Sequence, residues 1–167
     1  MNIDEIIKHL GLIPLEEEGG YYSETYRSDI IIEKAPYNGG IRTTRSIQSC
    51  IYYLMTEDSF SALHRLPSDE IWHFYLGDPI EQLQLLPDGT GKIIEIGNNL
   101  PAGQQPQVIV PQNVWQGSKL KAGGKFALVG TTMAPGFEFE DYEAGNRDEL
   151  ILQYPEFSFL IGQLANS

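Results

Sequence analysis

The sequence predicts an all-β fold, a sandwich or barrel flanked by short helices at the N- and C-termini. Three observations carry this prediction. From Gly19 to about Thr132 the chain runs through short segments rich in Tyr, Ile, Val, Thr and Phe, the residue types that suit a pleated, half-buried surface. Gly, Pro, Asn and Asp clusters, LGDP, PDGTG, GNNLPAGQQP and KAGGK, break those segments at close intervals and supply turn chemistry. Nothing between them has the length or period of the crossover helices that a parallel sheet requires. At 167 residues the chain is expected to form one domain over residues 1–167.

Taken in order, Ile3, Ile6, Ile7 and Leu10 recur at helical spacing, with Asp4 and Glu5 in the first turn and Gly11 placed to end it. His9 falls in the last turn, where a cation favours the helix terminus. Gly19 and Gly20 mark a tight turn or bulge. Strands are expected near Tyr21–Arg27, Gln48–Met55, Phe60–His64, Ile71–Leu76, Glu81–Leu86, Ile93–Ile96, Gln107–Val110, Val114–Gly117 and Phe126–Thr132. PDGTG is the clearest hairpin signal. The loop Lys34–Arg45, KAPYNGGIRTTR, is the expected mobile insertion. The end, NRDELILQYPEFSFLIGQL, returns to helical texture, and Pro155 divides it into two short helices.

Eleven Lys plus Arg against twenty-three Asp plus Glu give a net charge of −12, which argues against nucleic acid, whose phosphates need a basic face. A hydrophobic fraction of 41% with seven Phe, nine Tyr and two Trp supplies a core. The apolar runs, such as Ile51 to Met55, are far shorter than the roughly 20 residues of a membrane helix. The opening MNIDEIIKHLG is acidic and does not read as a secretory signal. Cys50 is the one cysteine, so no intrachain disulfide forms and a cytoplasmic location is expected.

Chemistry concentrates in HRLPSDEIWHFYLG, which holds His64, Asp69, Glu70 and His73. Alternation on a strand puts Glu70, Trp72 and Phe74 on one face and Ile71, His73 and Tyr75 on the other. A hairpin across LPSD then brings His64 and Glu70 onto one inner face. Such a pair suits acid/base work, because imidazole titrates near neutrality and a neighbouring carboxylate orients it. Trp72, Phe74 and Trp115 are candidate pocket walls, with core packing as their alternative role. Glu24 and Arg27, three apart, fall on opposite faces of a regular strand and are not expected to pair. Alternation in APGFEFEDYE suggests an edge strand whose Glu138, Glu140, Asp141 and Glu143 form a solvated acidic rim.

His64, Glu70 and Gly77 at their spacing resemble the first motif of the cupins, and PQNVWQG echoes the second. Leu66 stands where the first motif has its second His; Pro111 matches in the second motif, while Asn113 replaces a Gly and Gln116 replaces a His. The blocks EEEGGYYSETYRS, SALHRLPSDEIWHFYLGDP, GQQPQVIVPQNVWQGS and ALVGTTMAPGFEFEDYE together are similar to the cupin 5, or DUF985, group. The resemblance implies an RmlC-like double-stranded β-helix, or jelly roll, usually a homodimer, similar in fold to dTDP-4-keto-6-deoxy-sugar 3,5-epimerases. It implies no settled reaction.

Three functions remain open on this sequence. The first is a small-molecule-binding cupin acting as an isomerase or epimerase on a carbonyl-bearing or sugar-like ligand. In it His64, beside Glu70, removes a proton and Tyr52 or Tyr75 returns one, with Tyr52, Trp72, Phe74, Trp115 and Gln116 as ligand contacts and no cofactor required. The second is a non-catalytic module that binds or senses a metabolite. The third is a metal-dependent oxygenase or isomerase with a divalent ion on His64, Glu70 and Gln116, where the neutral amide is a weak substitute for imidazole. His73 joins that set only if a bulge reverses its parity. Of all the carboxylates, Glu70 alone is expected to be chemically committed, and the acidic exterior disfavours an anionic nucleotide-sugar.

Overall fold

The computed structural model describes residues 2–33, 36, 37, 40, 41 and 44–165. Helix α1 (Ile3–Leu10) is capped at its start by Asn2 and at its end by Gly11 in the left-handed conformation. The strands follow as β1 (Ile13–Pro14), β2 (Tyr21–Arg27), β3 (Ile31–Glu33), β4 (Pro36–Tyr37), β5 (Gly40–Ile41), β6 (Thr44–Ser46), β7 (Ser49–Thr56), β8 (Phe60–Arg65), β9 (Glu70–Gly77), β10 (Ile80–Leu85), β11 (Gly91–Ile96), β12 (Gln107–Val110), β13 (Trp115–Leu120), β14 (Phe126–Met133) and β15 (Glu143–Ala144). Helices α2 (Arg147–Gln153) and α3 (Ser158–Leu164) close the described chain, separated at Pro155 as expected. No helix of the described residues is long and apolar enough to cross a membrane.

A six-stranded sheet in the order β1-β2-β7-β14-β9-β12 is one layer, and a five-stranded sheet in the order β11-β10-β13-β8-β15 is the other. Strand pairing within both is antiparallel, which makes the two layers the expected jelly roll. Between the sheets lies a core that includes Tyr53, Met55, Trp72, Val110 and Val129. Helix α1 sets Ile6 against Leu54 and Leu128 on the outer face of the larger sheet. Helices α2 and α3 cover the outer face of the smaller sheet through Leu150, Ile161 and Leu164, packed on Leu63, Leu83 and Leu85. Burial on one face of each element is what the two- and 3.6-residue periods encode.

The expected hairpin across LPSD does not form: β8 and β9 lie in different sheets and do not pair, so His64 and Glu70 reach the interior from opposite layers. Two further expectations fail for local reasons. The stretch FEFEDYE is not a regular edge strand: Phe139–Asp141 is a turn of 3-10 helix and only Glu143–Ala144 pairs, with β8. The register of β2 against β7 shifts between Glu24 and Tyr26, a bulge that reverses side-chain parity and brings Arg27 onto Glu24 at 2.7 Å. Much of the expected loop 34–45 lies outside the described residues, and its described backbone pairs β4 with β5 and β3 with β6.

Candidate functional site

A cavity of about 330 Å³ opens at one end of the barrel, between the two sheets. His64 from β8, Glu70 from β9 and Glu18 from the turn before β2 converge at its floor, and Leu15, Tyr22, Ile51, Leu66 and Met133 form much of its wall. The wall is completed by the segment from Phe137 to Tyr142, and the mouth carries Glu17, Glu24, Arg27 and Glu138.

The local backbone explains these placements. Gly19 sits at φ +100, and a Cβ there would stand 2.3 Å from the Phe60 carbonyl oxygen. Only glycine permits that approach, and it lets the Ala62 amide donate to the Glu18 carbonyl at 2.8 Å, locking Glu18 beside β8. Asn113, at φ +63, occupies the left-handed region that favours glycine and that Asn tolerates. A Gly would meet the same backbone requirement, so the Asn standing in the Gly position of the second motif keeps this turn.

His64 is 1% exposed. Its Nδ1 lies 2.7 Å from the Ala62 carbonyl oxygen, which can only accept, so Nδ1 carries a proton and the neutral form of the ring has its lone pair on Nε2. Nε2 stands 4.0 Å from Glu18 Oε2, and the Tyr142 ring stacks on the imidazole at 5.0 Å. Glu18 Oε1 accepts from the Ser61 hydroxyl. Burial, with repulsion from Glu70, pushes the Glu18 carboxyl above its ordinary 4.5, against the opposing pull of His64 and Ser61. Burial also raises the Tyr142 hydroxyl, which donates to the Glu17 carbonyl at 3.0 Å.

Glu70 is anchored from behind. Its Oε2 accepts from Gln116 Nε2 at 2.6 Å and from Trp72 Nε1 at 3.1 Å, and Trp72 Nε1 also reaches Gln116 Oε1 at 3.1 Å. Its Oε1 accepts no hydrogen bond among the described residues. At the mouth, Arg27 donates to Glu24, to Glu138 at 3.1 Å and to the Phe137 carbonyl at 2.9 Å. Beneath the wall, Asp141 Oδ1 meets Arg45 Nη2 at 2.6 Å with both side chains fully buried.

The structure thus brings His64 and Glu70 together, and the other sequence candidates stand elsewhere. Trp72 and Gln116 are buried behind Glu70 and do not line the cavity, and Phe74 packs into the inter-sheet core. Trp115 points to the opposite face of its sheet, where Arg65 lies 4.6 Å above its ring. Tyr52 and Tyr75 meet edge to face at 5.9 Å on the outer surface of the large sheet, because they alternate with inward-facing Ile51, Tyr53 and Phe74. His73 keeps the outward parity of a regular strand and lies within 3.4 Å of Thr132.

Sequence reading missed Glu18, Tyr142 and Arg27 as site residues. Glu18 is embedded in the EEE run, which reads as solvated surface, and the two glycines after it were the signal of a close approach. The acidic rim is likewise corrected: Asp141 is 2% exposed, and Glu138 and Glu143 are paired with Arg27 and Arg65.

As a metal-ligand set the three candidates do not fit. Gln116 has both ends of its amide committed to Glu70 and Trp72, and Leu66 offers no donor atom. Among the described residues no group of three or more His, Cys, Asp or Glu side chains is arranged to hold an ion.

A pocket inside an antiparallel two-sheet jelly roll, with a His and a Glu from its two facing sheets at the floor, defines a cupin-fold protein. The chain belongs to the family described as Cupin superfamily (DUF985), whose model matches residues 4–145. It is 32% identical over 146 residues to the "uncharacterized protein YML079W" of Saccharomyces cerevisiae, spanning 83% of this chain and 69% of that one. A hypothetical protein from Leishmania major superposes over 100% of both chains with a TM-score of 0.89 and 31% identity. Protein SO0799 from Shewanella oneidensis does so over 99% of this chain and 98% of its own, with a TM-score of 0.87 and 32% identity. Oxalate decarboxylase from Bacillus subtilis, at 11% identity and a TM-score of 0.52 over 88% of this chain and 36% of its own, shares the fold alone.

Proposed function

We propose that the protein binds a small organic molecule in the barrel and moves a proton on it, as an isomerase or epimerase acting next to a carbonyl. The observation that carries this reading is the orientation of His64: its Nδ1 proton is held by the Ala62 carbonyl, and its Nε2 faces the cavity beside the Glu18 carboxyl. In this mechanism Nε2 takes a proton from the carbon next to the carbonyl, and Glu18 offsets the imidazolium charge that develops. The return proton is assigned to Tyr22, which lines the cavity from the sheet opposite His64. Tyr52 and Tyr75 are excluded from that role by their outward positions. Glu70 orients the ligand through its free oxygen.

The test is solvent-deuterium wash-in. Small keto compounds and keto sugars are incubated with the protein in heavy water and followed by NMR for label at the carbon next to the carbonyl. Wild type is expected to label one of them and His64→Ala to lose labelling by about 100-fold or more. Binding without any labelling supports the second reading, a metabolite-binding module, which is favoured by the Tyr142 hydroxyl being spent on Glu17. A homodimer and a cytoplasmic setting are part of the proposal: Tyr26, Tyr75 and Ile109 are about half exposed on the outer face of the large sheet, and Cys50 is a free thiol.

A further inference from the structure

We infer that the ligand carries a protonated primary amine, and that this ammonium seats on the cavity floor between His64, Glu18 and Glu70. The inference rests on the small-molecule reading above, narrows its ligand class, and sits with the binding-module alternative, because an ammonium donating to Nε2 occupies the lone pair that proton transfer would need. Three acceptors converge there with no donor among them: His64 Nε2, whose partner nitrogen holds the proton; Glu18 Oε2; and Glu70 Oε1. His64 and Glu70 are 1% and 7% exposed and the Glu18 side chain 17%, so what these acceptors keep free faces the cavity, where a ligand's donor can meet it. The nearby donors are spent: Ser61 on Glu18, and Gln116 and Trp72 on the far oxygen of Glu70.

A primary ammonium answers that arrangement, having three N–H donors and no acceptor. The 4.0 Å between His64 Nε2 and Glu18 Oε2 is too long for a direct hydrogen bond. It is the spacing at which one nitrogen can donate to both at about 2.8–2.9 Å. A quaternary ammonium has no N–H to give. A neutral hydroxyl supplies one donor and no charge to three acceptors that include two carboxylates.

An anion meets Glu17, Glu18, Glu24, Glu70 and Glu138 around the cavity, and Arg27, the one Lys or Arg among the described lining residues, is already held by Glu24 and Glu138. A cation seated between Glu18 and Glu70 also offsets the burial and the repulsion from Glu70 that together raise the Glu18 carboxyl. Above the floor, Tyr22, Phe137 and Phe139 pack edge to face at 5.3–6.3 Å and present apolar surface for the carbon frame next to the nitrogen.

The test uses three probes of one shape that differ in the group they present: benzylamine, benzyl alcohol and benzoate, titrated into wild-type protein by calorimetry and by NMR at neutral pH. Benzylamine is expected to bind about tenfold or more tighter than either, as charge-assisted hydrogen bonds require, and to perturb signals at the floor. Glu18→Gln and Glu70→Gln, checked for folding by thermal melts, are each expected to weaken benzylamine about tenfold and to leave benzyl alcohol unchanged. Equal or tighter binding of the alcohol or the benzoate, or no binding of benzylamine, overturns the inference whether or not the variants fold. So does displacement of benzylamine by stoichiometric zinc or manganese chloride. Loss of deuterium wash-in with amine selectivity intact would sink the catalytic reading alone.

Discussion

Replacing Glu70 with Leu or with Gln separates what this side chain does for the fold from what it does for the ligand. In the wild type, Glu70 Oε2 is the acceptor for Gln116 Nε2 at 2.6 Å and for Trp72 Nε1 at 3.1 Å, all three side chains being buried. Leucine deletes that acceptor. Gln116 Nε2 then has no partner, whereas Trp72 Nε1 keeps Gln116 Oε1 at 3.1 Å. A buried donor left unpaired costs about 1–3 kcal/mol, with charged partners at the upper end. One full loss and one partial loss put Glu70→Leu about 2–4 kcal/mol below wild type. At this chain length each kcal/mol lowers Tm by about 2–4 °C, so the melt is expected roughly 5–15 °C lower. Glutamine retains an oxygen for the two donors and turns its amide toward the cavity, so its melt is expected within a few degrees of wild type. Differential scanning calorimetry of the three proteins at one pH reads the result. If Glu70→Leu melts with wild type, the hydrogen bonds behind the floor contribute nothing and the account of how Glu70 is positioned is wrong.

Burial raises the Glu18 carboxyl above its ordinary 4.5, so the folded state holds that proton more tightly than the unfolded chain. The stabilisation this gives is complete below the ordinary value and is lost as pH rises through the folded value. Glu18→Gln, which does not ionise, is therefore expected to melt above wild type at about pH 8 and to converge with it toward about pH 4 in a series of thermal melts; a pH-independent gap would contradict the burial argument. Asp141→Ala removes the carboxylate from a fully buried contact with Arg45 and is expected to cost about 3–5 kcal/mol in urea unfolding. A midpoint shift corresponding to less than about 1 kcal/mol would show that the pair does not hold the Phe137–Tyr142 wall in place.

Much of the β scaffold was legible because its signals are local. Eight of the nine expected strands fall within two residues of their expected bounds, since period-two alternation and turn residues are both written in short windows; the one expected at Val114–Gly117 runs Trp115–Leu120, and β3 to β6 were not expected. Asn2, Gly11 and Pro155 set helix limits by backbone chemistry that does not depend on the rest of the fold. The parity argument that put Glu70 and Trp72 inward and His73 outward held for the same reason. It failed on β2, where one bulge turned Arg27 onto Glu24, and a bulge has no local signature in YYSETYRS.

The sequence by itself determined the family and the two-sheet fold, because motif spacing and turn chemistry are local; it also named His64 and Glu70, although they meet across the cavity from opposite sheets and not on one hairpin. Only the tertiary structure decided the other half of the site. Glu18 reaches the floor because Gly19 lets its turn press against Phe60, and Tyr142 covers His64 because a buried Arg45–Asp141 contact holds the final wall. Those contacts join residues 40 to 100 positions apart, and burial turned members of apparently solvated acidic runs into a cavity floor and a structural anchor. Charge composition counts carboxylates; which of them lose water is settled by packing.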